Sequence, residues 1–122
     1  MVSSFERSPS CELGLPEPFR CDVRAGDGTA NVVPAGELDQ STAPLLAARV
    51  RAALEDGCDR LVVDLSLLEF IDSSGVRLLL NWQAASRADG FQMTIVPGRR
   101  PVQRVFELLG LTEALPFAAD GR

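Results

Sequence analysis

Residues 61–75 read Leu61-Val62-Val63-Asp64-Leu65-Ser66-Leu67-Leu68-Glu69-Phe70-Ile71-Asp72-Ser73-Ser74-Gly75. The run opens with a short apolar segment of β character, Leu61 to Leu65, of the kind expected in a strand buried on both faces. Phe70-Ile71 follows. Asp72-Ser73-Ser74-Gly75 then opens a helix predicted to reach about Ala88, with Asp89-Gly90 ending it. Downstream, Phe91 to Val96 is predicted as another strand, and Pro97-Gly98 turns the chain. Pro101 starts a helix whose apolar residues are Val102, Val105, Phe106 and Leu109. Gly110 is its expected left-handed cap, with Leu111 folding back on the last turn. A short element at Leu115 to Phe117 is read as an edge strand.

Upstream, Phe19 to Arg24 alternates apolar and polar residues, with Phe19, Cys21 and Val23 on one face. Gly26-Asp27-Gly28 signals a turn, and Thr29 to Val33 returns as the second arm of a hairpin. Pro34 has no N–H to give a ladder, so this strand is expected to end there or lie at an edge. Ser41 or Thr42 is placed to cap a helix with Pro44 in its first turn, running to about Asp56. Leu46, Val50, Ala53 and Leu54 share one face of it, and Gly57 stops it. The predicted order is β-β-α-β-α-β-α-β. This is an α/β domain with a mixed sheet of four to five strands, flanked by three to four helices, with right-handed crossovers joining its parallel strands.

At 122 residues there is room for one domain. Residues 19–122 are assigned to it. Residues 1–18, rich in Pro and Ser, read as a flexible N-terminal extension; they lack the basic start and apolar run of a secretory signal. The composition is that of an ordinary globular chain, 46% hydrophobic and 24% charged. Its absences narrow the chemistry. There is no histidine, and all 12 bases are arginine. Ser-His-Asp and Cys-His machinery and imidazole metal ligation are therefore ruled out, as are Schiff-base and Walker-type lysine chemistry. A net charge of −5 disfavours binding to a nucleic-acid backbone. Cys11, Cys21 and Cys58 are widely spaced, with no C-x-x-C pair, and are expected to be reduced thiols of a cytoplasmic protein. No apolar stretch is long enough to span a membrane, and no cofactor is implied.

Chemistry concentrates at Asp72-Ser73-Ser74-Gly75. Asp and Ser are common helix caps, and a capped helix start needs no function. The same geometry also suits a phosphoacceptor serine, because a helix N-terminus tolerates added negative charge. Gly75 would then let a partner backbone approach closely. Along the helix, Val76, Leu79 and Leu80 cluster towards the core. Leu78, Trp82 and Ala85 form a second stripe on roughly the opposite side. That stripe is either covered by the tail or a neighbouring helix, or it is an exposed docking patch with Trp82 as anchor. Arg77 lies one turn after Ser73, either solvated or paired with a phosphate or an acidic partner residue. An enzyme using Ser73 as nucleophile would have only Asp72 or Asp39 as base, and no enzymatic activity is expected.

Three segments resemble the STAS domain family, in particular the bacterial anti-sigma factor antagonists. They are Gly36-Glu37-Leu38-Asp39, the run from Leu61 to Gly75, and Val102 to Leu111, and the similarity spans about Phe19 to Phe117. The resemblance implies a mixed sheet flanked by helices and a partner-switching role in the cytoplasm. Such a protein binds an anti-sigma factor with serine-kinase activity and thereby frees a sigma factor. The kinase phosphorylates the serine after the Asp, here Ser73, and a metal-dependent serine phosphatase reverses this. The match puts Asp39 near that serine. The expected partner surface comprises Asp39, Asp72, Ser74, Gly75, Arg77, Leu78 and Trp82, with no nucleic-acid or membrane contact. The alternative is a STAS scaffold subunit of a transport or signalling complex, in which Ser73 is only a cap.

Overall fold

A computed structural model describes residues 19–118. The expected extension at 1–18, including Cys11, lies outside the described residues. Strands β1 (Arg20–Gly26) and β2 (Thr29–Leu38) form the predicted hairpin, in register from Arg20↔Ala35 to Gly26↔Thr29. Asp27 and Gly28 take φ of 55° and 79°, the two-residue turn whose twist matches the strands it joins. Helix α1 (Ala43–Glu55), strands β3 (Arg60–Asp64) and β4 (Leu68–Ile71), helix α2 (Ser73–Asp89), strand β5 (Gln92–Val96) and helix α3 (Arg100–Leu108) follow.

β2 organises the sheet by changing partners along its length. Thr29 to Val32 pairs in parallel with β3, and Gly36 to Leu38 pairs in parallel with β4. β5 lies parallel to β3 on its far side. β4 therefore continues in the direction of β3, displaced along β2, and it is a strand where the sequence suggested only a connecting pair of apolar residues. Pro34 neither ends β2 nor marks an edge. It sits inside the strand, opposite Cys21 of β1 and between the stretches that pair with β3 and β4. A missing N–H is tolerated where the parallel ladder is interrupted. The register shift at Gly36/Glu37 is a bulge, and Gly36 takes a φ of 101° that a side chain would strain.

The core lies on one side of the sheet. Ala30, Val32, Leu61, Val63 and Ile95 point into it, fully buried, and helices contribute Leu46, Val50, Val76, Leu79, Trp82, Val102 and Phe106. Their neighbours on the opposite face, Asn31, Val62 and Thr94, stand in register across three strands and are exposed or half-buried. β3 is thus covered by core on one face only, although its sequence is apolar enough for both. The Leu111 amide returns to the Phe106 carbonyl at 2.9 Å, closing α3 as expected. The tail contributes one parallel bridge, Ile95↔Phe117, rather than a strand over Leu115–Phe117, and the Phe117 ring packs edge-on against Phe106.

Candidate functional site

β2 and β4 end side by side, because Leu38 and Ile71 are register partners. The Asp72 amide donates to the Leu38 carbonyl at 3.1 Å, so the turns after the two strands are neighbours. Each turn begins with an aspartate and leads into a helix. Asp39 and Asp72 are therefore brought to the same end of the sheet, as the sequence resemblance implied.

Asp72 is the N-cap of α2, with extended backbone. Its Oδ1 accepts the amides of Ser74 (2.8 Å) and Gly75 (3.4 Å), and its carbonyl accepts that of Val76 (3.1 Å). The first-turn donors are thereby largely satisfied. Ser73 is the first helical residue and is exposed, and its hydroxyl makes no hydrogen bond among the described residues. Ser74 is half-buried.

The Asp39 turn uses the same residue types differently. Asp39 Oδ1 accepts the Ser41 hydroxyl at 2.8 Å, the Ser41 amide at 3.0 Å and the Thr42 amide at 3.2 Å. Thr42 Oγ1 accepts the Asp39 amide at 2.8 Å and can donate to the Glu37 carbonyl at 2.9 Å. Neither Ser41 nor Thr42 caps α1 with its side chain, contrary to expectation. The acid three residues before the N-cap position draws their hydroxyls back into the loop. The Ser41 hydroxyl is the main influence holding the Asp39 carboxyl below its ordinary value of 3.8; desolvation opposes it, and the Ser41 amide and the Thr42 amide and hydroxyl lower it further.

Two expected partner contacts are corrected. Gly75 is buried, and a Cβ there would fall 2.6 Å from Ile71 Cγ1 and 2.9 Å from Leu38 Cγ. Its lack of a side chain lets α2 close onto the ends of β2 and β4, and it is not free for a partner's approach. Trp82 is only 8% exposed and belongs to the core. It follows Leu79 by three residues, a rotation of about 60° around the axis, so it shares the buried face rather than opposing it. α1 covers the supposed second stripe: Trp82 and Leu78 line a groove with Val50 and Leu54, and Leu78 is half-buried. Trp82 is therefore no exposed anchor.

Arg77 is exposed, with no hydrogen bond or ion pair among the described residues. Two apolar side chains near this end escaped the sequence reading. Phe70, paired in register with Glu37, is 46% exposed, and Leu45 in the first turn of α1 is 59% exposed. The irregular burial along β4, which leaves both Glu69 and Phe70 outside, gave no period-2 signal to find Phe70 by.

Cys21 and Cys58 are free thiols, and burial pushes Cys21 up to about 11, so it is protonated at neutral pH. Among the described residues no cluster of His, Cys, Asp or Glu is arranged to hold a metal ion. No described helix is long and apolar enough to cross a membrane.

Comparison with known proteins places this arrangement. A family model described as Mlab, STAS domain, matches residues 21–116. An anti-sigma F factor antagonist of Paenibacillus polymyxa is 29% identical over 83 residues, 67% of this chain and 71% of that protein. The crystal structure of an anti-sigma factor antagonist from Mycobacterium paratuberculosis superposes with a TM-score of 0.68 at 30% identity, covering 85% of this chain and 88% of that one. The Bacillus cell fate determinant SpoIIAA, solved in its phosphorylated form, shares the fold with a TM-score of 0.62 at 22% identity, covering 84% of this chain and 93% of its own.

Proposed function

The chain belongs to the STAS domain family, and on that premise we propose that it is an anti-sigma factor antagonist switched by phosphorylation of Ser73. The observation that carries this reading is the Ser73 hydroxyl, exposed and unbonded at the mouth of α2 beside the Asp39 turn. The similarity to proteins named as anti-sigma factor antagonists supports it. So does the phosphorylated state of SpoIIAA, which has the same fold.

In this reading the unphosphorylated chain docks this end of the sheet on an anti-sigma factor that is also a serine kinase, and so releases a sigma factor. Asp39, Asp72, Ser74 and Arg77 form the polar part of the contact, and Phe70 and Leu45 supply exposed apolar area. The kinase moves the γ-phosphoryl group of ATP to Ser73 Oγ, and the displaced hydroxyl proton leaves to a kinase base. This chain is a substrate and a ligand; it contributes no catalytic group. A serine phosphatase reverses the step. Because the partner uses ATP, the exchange belongs in the cytoplasm.

Electrostatics supply the switch. A phosphoserine adds about −1.5 to −2 charges at neutral pH. Asp72 already accepts the Ser74 and Gly75 amides, so a phosphate could take those two only by displacing the cap. The new charge instead stands beside Asp72, Asp39 and Glu37 at the docking face. Like charges desolvated in an interface cost several kcal/mol, enough to move occupancy by orders of magnitude.

Incubation with the cognate kinase and ATP is expected to add one phosphate, and Ser73→Ala to abolish it; phosphate on another residue rejects the assignment. Ser73→Asp is expected to weaken partner binding at least about tenfold, a modest share of the interfacial repulsion. Unchanged affinity would mark the chain as a scaffold without a phosphorylation switch.

A further inference from the structure

We propose that Arg77 is the intramolecular counter-ion of a phosphate on Ser73, so that phosphorylation closes a salt link across the first turn of α2. This rests on the reading of Ser73 as phosphoacceptor and adds to it what receives the charge.

Ser73 and Arg77 are four residues apart on one helix, where side chains lie on the same face one turn apart. The acid-first order is the favourable one. Both residues are exposed, and neither side chain has a partner among the described residues. Arg49 donates to the Cys21 carbonyl at 3.3 Å and Arg99 to the Ser66 carbonyl at 3.2 Å, so neither guanidinium is free in the way Arg77 is.

The usual receptor for a phosphate at a helix start is its free amides. Here Asp72 has taken those of Ser74 and Gly75. The carboxylates that the neighbouring turns bring to this end are Asp72 on the cap of α2 and Glu37 and Asp39 at the end of β2, while α3, packed on β4, carries Arg100 and Arg104. The carboxylates repel a phosphate from the strand side and leave the helix side open. Arg77 stands there, and its planar fork can meet two phosphate oxygens at once. The phosphorylated state is thereby held by the chain itself.

The test uses the full chain with phosphoserine installed synthetically at position 73, followed by phosphorus NMR against pH. The second ionisation of the phosphate is expected about 0.3 pH unit lower in the native sequence than in Arg77→Gln, consistent with the strength of a one-turn ion pair. The difference shrinks in high salt, and Arg77→Lys recovers part of it. Because Arg77→Lys keeps the charge and the long side chain, it also separates loss of the pair from disturbance of the helix. Superimposable titrations of the native and Arg77→Gln chains overturn the proposal. A kinase that leaves Ser73 untouched defeats the functional reading alone, since the installed phosphate still reports on Arg77.

Discussion

At the entrance to α1, Asp39 gathers the Ser41 hydroxyl and the Ser41 and Thr42 amides into a closed turn. At the entrance to α2, Asp72 gathers backbone amides only, and the Ser73 hydroxyl is left to solvent. The two turns lie side by side and use the same residue types. Their difference is one of spacing. Asp39 stands three residues before Thr42, the N-cap position of α1, so Ser41 and Thr42 both precede the first helical residue and can fold back. Asp72 is itself the N-cap, so the next residue is already helical, and its side chain projects away from the acid. An acid next to a serine does not by itself make a modifiable site. Where the helix begins decides whether the hydroxyl is spent or free.

The strongest way to break this comparison is to loosen the helix that presents Ser73. Trp82→Ala removes a buried aromatic wedged between α2 and α1, and denaturant unfolding should register a loss of about 3–5 kcal/mol. A loss under about 1 kcal/mol, the usual size for a surface site, would return Trp82 to the surface. Next comes the contact between the turns. Gly75→Ala places a methyl against Ile71 and Leu38, where their side chains can give only in part, and should destabilise the fold by about 1–3 kcal/mol. An unchanged midpoint would mean that α2 does not close on the strand ends.

Asp72→Ala should cost about 1 kcal/mol through loss of the cap, whereas Ser73→Ala should be nearly neutral in stability. Equal losses from both would show that the Ser73 hydroxyl is bonded after all. The smallest effect concerns Asp39. Its folded-state carboxyl titrates below its ordinary value of 3.8, so its ionised form adds stability that is fully present above that value and is lost as pH falls through the folded one. Melting temperatures of the native chain and Asp39→Asn should differ at neutral pH and converge in strong acid. A gap that persists unchanged in acid would mean the charge of Asp39 is irrelevant to its turn.

The strands and helices were largely legible because they depend on local patterns. Alternation marked β1, Asp27-Gly28 marked the hairpin turn, and Asp72 marked the start of α2. Pro34 misled, because its local rule assumes a partner on both sides throughout, whereas β2 changes partners around it. For Trp82 the sequence leaves cover by a neighbouring helix and an exposed anchor both open, because periodicity gives angles around an axis but not the width of the buried face; the neighbouring helix is α1, and the anchor reading is the one that fails.

The sequence by itself determined the order of β1, β2, β3, β5 and the three helices, though not strand β4 or the strandless tail, together with the cap at Asp72 and the placement of a serine at a helix mouth, since each is set by residues within a few positions of one another. Tertiary structure decided by which contacts Asp39 and Asp72, which the resemblance already linked, share one end of the sheet, and it alone decided that Gly75 is buried between Leu38 and Ile71 and that Trp82 is core. Those facts depend on parallel pairing of β2 with β4 and on packing of α1 beside α2, contacts between segments some thirty residues apart that no local pattern encodes.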